Sequence, residues 1–153
     1  DKIVKHPLMR ALRVDKMTLA GLTATLQLHR DPRKAEEEIP LFRLLSTSAE
    51  NLKNRAERLS PQVAECDVIA SAEAFESESQ LGGGSVPAQT LPTWCVAMNP
   101  IGHSVDQLAQ ALRTGSPAVF CRVHKNRLLM DLRTVLPSQE SQLIAALKAV
   151  KSS

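Results

Sequence analysis

Hydrophobic residues near the start of the chain recur at the spacing of one face of an α-helix. The first such stripe consists of Leu8, Leu12, Leu19, Leu22 and Leu26. It predicts one long helix that begins at His6-Pro7, because proline is tolerated in a first helical turn, and runs to about His29. Asp31-Pro32 then predicts the end of this helix.

A second helical stripe follows the acidic residues Glu36–Glu38, which suit the positive amino-terminal end of a helix. The stripe consists of Leu41, Leu45, Leu52, Ala56 and Leu59. We expect this helix to end at about Leu59, because Ser60-Pro61 comes next and a residue before proline disfavours helical backbone.

The pattern then changes to that of antiparallel strands, in which apolar residues stand among small and acidic ones. Val63–Ser79 predicts the first strand region, and Leu91–Met98 predicts a second one after a break at Gly82–Pro87. Ser104 and Gln107 have the spacing of a capping box and predict the start of a third helix.

The last part of the chain predicts a hairpin and a closing helix. Ala118–Arg122 and Leu128–Val135 flank a polar tetrapeptide, as the two strands of a β-hairpin do. The closing helix has its stripe at Leu143, Ile144, Leu147 and Val150. Together these elements predict an α+β fold in which helices cover a small antiparallel sheet.

Composition and charge exclude several classes of protein. The 153 residues, 43% of them hydrophobic and 23% charged, suffice for one domain with a buried core. The net charge of +3 arises from intermixed basic and acidic residues, so it does not indicate RNA binding by this segment alone. Cys66, Cys95 and Cys121 lie in apolar runs without redox or metal-site spacing. We therefore expect reduced, buried thiols in a cytosolic protein, and no apolar run predicts a membrane span.

Three cations near the start of the chain are the first candidate site. Arg10, Arg13 and Lys16 follow one another at intervals of three, so on a helix they could project from one face and bind an anion. The spacing alone favours a basic helix face exposed to solvent, and the neighbouring Asp15 could pair with a cation of the chain itself.

Two other positions could take part in binding. Gly82–Gly84 followed by Ser85 could cradle a phosphate, but the pattern matches no phosphate-binding fingerprint, and composition favours a flexible turn. Arg133 lies in an apolar run, where its guanidinium must reach solvent or meet an anion, and a paired structural arginine is favoured. The histidines are scattered without ligand spacing, so we expect no metal site.

Three segments closely resemble one known family. His6–Ala20 is similar to a signature of the L-seryl-tRNA(Sec) selenium transferases, the bacterial selenocysteine synthases. Gly82–Pro87 with Leu91–Trp94, and Arg127–Arg133, resemble later segments of that family in the same order. The resemblance covers essentially the whole chain.

The resemblance implies the carboxy-terminal part of a fold-type-I pyridoxal-phosphate enzyme. Residues 1–30 would form a long helix that links the large and small domains, and residues 31–153 would form the small α+β domain. The implied activity converts seryl-tRNA(Sec) to selenocysteinyl-tRNA(Sec) with selenophosphate. The cofactor lysine would lie upstream of this chain, which would therefore hold no catalytic residue and be inactive alone. A cytoplasmic homo-oligomer built from dimers is also implied.

For individual residues the resemblance implies that Arg10 and Arg13 face the active site and bind selenophosphate. Two guanidiniums suit a phosphate-like dianion, because each offers a rigid fork of donors. Lys16, Ser85 and Arg133 have matching positions in the family but no secure role.

Two other functions stay open on the sequence. A related pyridoxal-phosphate enzyme that acts on a small amino acid or a phosphorylated amino-sugar would use the same arginines for another phosphate. A non-catalytic domain for oligomerisation or RNA docking has no need of an anion clamp at a helix start.

Overall fold

The computed structural model describes residues 2–81 and 89–151. Contacts between Cα atoms divide the chain into two compact units, Asp1–Ser46 and Thr47–Ser153. The predicted division, at residue 30, lies earlier in the chain. The predicted fold class is confirmed, since the structure combines helices with one antiparallel sheet.

The first unit is helical. Its described elements are α1 (Leu8–Ala11), α2 (Lys16–Leu28), α3 (Pro32–Glu38) and α4 (Pro40–Ser46). The prediction of one continuous helix to His29 was wrong, because the chain leaves helical geometry after Ala11 and Asp15 caps a new helix. A further cap is provided by Asp31, which is followed by Pro32 in the first turn of α3.

The second predicted helix was also wrong, because its sequence forms three helices, α3, α4 and α5 (Ala49–Ala64). The first break falls at Ile39, whose ψ of 113° is extended, as the following Pro40 favours. The second break falls before α5, where the Ser48 hydroxyl accepts a hydrogen bond from the N–H of Asn51.

The end of α5 corrects a further prediction, because the helix continues through Pro61 to Ala64. Proline forfeits its own N–H, but its carbonyl still accepts a hydrogen bond from the N–H of Glu65 at 3.2 Å. Burial of Leu59 and Val63 on either side of the proline supplies a further reason for the helix to continue.

The second unit contains a four-stranded antiparallel sheet with the strand order β1-β2-β4-β3. Its strands are β1 (Ile69–Gln80), β2 (Thr90–Pro100), β3 (Arg122–His124) and β4 (Arg127–Asp131). The predicted hairpin is confirmed, with strands shorter than expected. Its turn residues Lys125 and Asn126 have φ values of 48° and 59°, which is the positive-φ pair that a type I′ hairpin turn requires.

Three helices, α5, α6 (Val105–Thr114) and α7 (Glu140–Ala149), cover one face of the sheet. The predicted capping box and closing helix are both confirmed, and Ser104 and Gln107 bond each other's backbone N–H groups. The core on this face is aliphatic and includes Leu52, Val63, Val96, Met98, Leu108, Leu112, Leu128 and Leu147. A smaller cluster on the other face contains Cys95, Ala97, Leu129 and the partly buried Phe75.

A buried ion cluster joins α5 to α7. The Glu140 carboxylate accepts hydrogen bonds from Arg55 Nε and Arg58 Nη2, both at 2.6 Å. Arg55 is also buried, and its remaining nitrogens donate to the carbonyls of Val135 at 2.8 Å and Leu132 at 3.4 Å. Both buried charges are therefore paired and hydrogen-bonded, as a buried ion pair requires.

We predict that Glu140→Ala lowers the free energy of unfolding by roughly 3–5 kcal/mol, because it leaves the Arg55 charge buried without a carboxylate. Urea denaturation followed by circular dichroism measures this loss. The matched control is Glu57→Ala, which breaks an exposed pair with Lys53 (3.8 Å) and should cost about 0–1 kcal/mol. Equal losses in the two variants would contradict the prediction.

Candidate functional site

The three predicted cations lie close together along the chain but in three different backbone settings. Arg10 is in the last turn of α1, Arg13 lies in the non-helical link before α2, and Lys16 is the first residue of α2. All three are exposed. The shared helix face that the spacing predicted is therefore absent from the structure, and any convergence of these side chains must come from the bend between the helices.

Asp15 is the last residue of the link between α1 and α2 and caps the start of α2. Its Oδ1 accepts hydrogen bonds from the N–H groups of Met17 at 2.8 Å and Thr18 at 2.9 Å, and its Oδ2 accepts one from the Thr18 hydroxyl at 2.8 Å. The backbone and side-chain bonds from Thr18, followed by that from Met17, hold the pKa of this carboxyl below its usual value. Asp15 thus pairs with the start of α2.

We call the segment Arg10–Lys16 the basic segment, because it carries three cations and a single carboxylate, that of Asp15. Within the described residues, no ion pair within 4.0 Å involves Arg10, Arg13 or Lys16. An exposed group of cations without a carboxylate partner is suited to an external anion.

Arg133 lies in the second unit, in a 3₁₀ turn that follows β4. It is buried, and its guanidinium donates to the carbonyls of Thr47 at 2.9 Å and Pro92 at 2.6 Å. These bonds tie the turn to α5 and β2, so the contacts favour the interpretation of a paired structural arginine.

Sequence reasoning missed the group around Asp131. Its carboxylate accepts hydrogen bonds from the hydroxyls of Ser79 and Thr93 and from the Arg133 N–H, and it lies 3.5 Å from Arg122 Nη2. One side chain at the end of β4 thereby contacts the other three strands. These contacts follow from the register of the sheet, in which Asp131 pairs with Cys95 of β2. The sequence alone does not fix that register, so the contacts could not be predicted from it.

Two other predicted features have simpler outcomes. Gly82–Gly84 and Ser85 lie outside the described residues. Within residues 2–81 and 89–151, no group of three or more His, Cys, Asp or Glu residues could hold a metal ion.

All three cysteines are free, as predicted; Cys66 and Cys95 are buried and Cys121 is partly buried. Burial raises the pKa of each thiol, that of Cys121 to about 12. A thiol that stays protonated near neutral pH is a poor nucleophile, so these cysteines are poorly suited to nucleophilic catalysis.

Comparison with known proteins gives a consistent result. The sequence profile of the family described as L-seryl-tRNA selenium transferase matches residues 1–136. The L-seryl-tRNA(Sec) selenium transferase of Geobacter sulfurreducens is 40% identical over 99% of this chain and 33% of its own length. Those of Moorella thermoacetica and Aquifex aeolicus are 41% and 38% identical over 93% and 88% of this chain, and over 30% and 29% of their own lengths.

The chain belongs to the L-seryl-tRNA selenium transferase family. This confirms the family that the resemblance predicted. The chain spans about a third of the length of these relatives and matches their carboxy-terminal part. In the family, the residues discussed above therefore belong to a larger polypeptide. Among the described residues of this family member, no helix is long and apolar enough to cross a membrane.

We predict that Cys121 in the folded protein reacts with iodoacetamide at pH 8 at least about a hundredfold more slowly than in the unfolded chain, because so little thiolate is present. Mass spectrometry of the labelled peptides measures this rate. The pKa is raised on folding, so the thiol's contribution to stability is present below pH 9 and is lost as pH rises towards 12. Rapid labelling of Cys121 in the folded protein at pH 8 would contradict the raised pKa of its thiol. Labelling of the chain unfolded in urea is the control.

Proposed function

We propose that this chain is the carboxy-terminal part of an enzyme that converts seryl-tRNA(Sec) to selenocysteinyl-tRNA(Sec) with selenophosphate as the selenium donor. The single observation that supports it most is identity of about 40% over nearly the whole chain to proteins named for this activity. The family match also counts against a related pyridoxal-phosphate enzyme that acts on a small amino acid or a phosphorylated amino-sugar, and against a non-catalytic domain for oligomerisation or RNA docking.

In this proposal the basic segment binds the phosphate-like group of selenophosphate. Arg10 and Arg13 supply charge-assisted hydrogen bonds, and Lys16 adds a further positive charge at the start of α2. Three observations support the assignment: the exposure of all three residues, the absence of a carboxylate partner among the described residues, and the engagement of Asp15 by the helix start. Ser85 stays a candidate on resemblance alone, and Arg133 is disfavoured because its guanidinium already bonds carbonyl groups.

Pyridoxal phosphate would be the cofactor of the full-length enzyme, where it would act as an electron sink. The lysines of this chain do not fit the attachment of that cofactor. All eight are exposed, whereas a lysine that forms a stable Schiff base with a cofactor needs a pocket that excludes water. We therefore propose that the cofactor lysine lies in the part of the enzyme outside this chain, and that the working enzyme is a cytoplasmic homo-oligomer built from dimers.

We predict that Arg10→Ala and Arg13→Ala, made separately in the full-length enzyme, each lower kcat/KM for selenophosphate by roughly ten- to a hundredfold. This is the effect of losing one charge-assisted contact worth about 1.5–3 kcal/mol. Initial rates against selenophosphate concentration measure it, with cofactor absorbance and thermal unfolding as checks on folding. Arg113→Ala, which removes an exposed arginine from α6, is the matched control and should leave the kinetics unchanged.

Near-wild-type kinetics in both arginine variants would exclude the anion clamp. Arg10→Lys refines the result, because lysine keeps the charge but loses the planar fork of donors. A defect that persists in this variant indicates bidentate binding.

We also predict that borohydride reduction of the full-length enzyme, followed by digestion and mass spectrometry, places the pyridoxyl-lysine outside these 153 residues. The lysines of this chain are exposed to water, which disfavours a stable Schiff base. Stoichiometric modification of one lysine within this chain would refute the proposed location of the cofactor.

A further inference from the structure

We infer that Asp15 is a positioning residue for the anion-binding arginines: by capping α2, it sets the backbone path on which Arg13 lies in the non-helical link that follows the helix of Arg10. The inference rests on the proposed function of the basic segment. It assigns to Asp15 no contact with the substrate.

The sequence around the bend does not itself require a break. Residues 12–14 are Leu12, Arg13 and Val14, without proline or glycine, and leucine and arginine are good helix formers. The leucine stripe also continues across the bend at helical spacing, which is why one helix was predicted. Helix α1 has already ended at Ala11, and Asp15, whose φ of −72° and ψ of 167° are extended, fixes the point at which helical geometry resumes.

The hydrogen bonds of Asp15 explain why the extended conformation is preferred at this residue. Both carboxylate oxygens are used, one by two backbone N–H groups and the other by the Thr18 hydroxyl. The first N–H groups of a helix lack partners within the helix, so an aspartate that satisfies two of them favours a helix start at Lys16. As a consequence Arg13 precedes α2 instead of lying in its first turns.

The same bonds engage both oxygens of the Asp15 carboxylate. Asp15 is the only acidic residue between residues 2 and 30, and thus the nearest internal competitor for the two arginines. Its carboxylate faces the positive end of α2, and the bonds from Thr18 lower its pKa, so it remains ionised and bound to the helix. The guanidiniums are left for an external anion.

The test uses the full-length enzyme and compares Asp15→Ala, which removes the cap, with Asp15→Asn, which keeps a capping oxygen but removes the charge. We expect Asp15→Ala to raise KM for selenophosphate about tenfold while KM for seryl-tRNA(Sec) and cofactor absorbance stay unchanged. Asp15→Asn should restore KM to within about twofold of wild type. Thr18→Val, which removes only the hydroxyl bond, should raise KM by about two- to threefold.

A purely structural cap gives a different pattern, because it lowers the thermal midpoint without a selective change in KM for selenophosphate. That pattern, or an Asp15→Asn variant as impaired as Asp15→Ala, would overturn the inference. If Asp15→Ala does not fold, Thr18→Val and Asp15→Asn decide the question by the same KM comparison. As a readout besides turnover, calorimetric titration with inorganic phosphate should show about tenfold weaker binding in Asp15→Ala.

A double mutant separates this inference from the proposed function. If Arg13 acts through the geometry that Asp15 sets, Arg13→Ala with Asp15→Ala should be little worse than Arg13→Ala alone. Full additivity of the two defects contradicts the positioning role and leaves the clamp intact. Normal kinetics of Arg10→Ala and Arg13→Ala would instead remove the clamp, and the positioning role would fall with it.

Discussion

The second unit depends on one buried carboxylate, that of Glu140, shared by two arginines of α5. The apolar residues that α7 buries in the core do not by themselves specify one position of the helix. The bonds from Arg55 and Arg58 to Glu140, together with those from Arg55 to the carbonyls of Leu132 and Val135, fix the chain on both sides of the second 3₁₀ turn, Pro137–Gln139. A hydrophobic contact is non-directional, whereas these bonds specify one geometry.

Asp131 has a similar role at the end of β4, where its carboxylate accepts hydrogen bonds from hydroxyl groups of β1 and β2 and from the N–H of Arg133 in the next turn. Together with the buried Glu140, the partly buried Asp131 shows how this small domain uses acidic side chains to fix strand ends and helix starts. Such acids look like catalytic candidates in a sequence. Their bonds show that their partners are structural groups of the same unit.

How far the sequence predicted the fold depended on whether a local signal acted alone. The Ser104–Gln107 box and the hairpin were predicted correctly, because each is specified by a few neighbouring residues. The helices of the first part of the chain were joined wrongly. There the helical spacing of the leucines continued across two breaks, so each pair of helices was predicted as one. In the structure Asp15 and Ser48 cap new helices at these two points. At Pro61 the reverse occurred, since a strong breaker was overridden by burial of the helix face. For the site, the positions of Arg10 and Arg13 came from family resemblance, while the bend between them and the contacts of Asp131 needed the fold.

The hairpin turn at Lys125 and Asn126 has a consequence for mutational tolerance. Exposed loop tips are ordinarily where a protein accepts insertions, tags and random substitutions. Here two consecutive residues hold positive φ, a conformation that asparagine and glycine accept and β-branched residues resist. In a saturation scan this exposed turn should therefore behave as a restrictive position, with glycine, asparagine and aspartate retained and valine, isoleucine and threonine depleted.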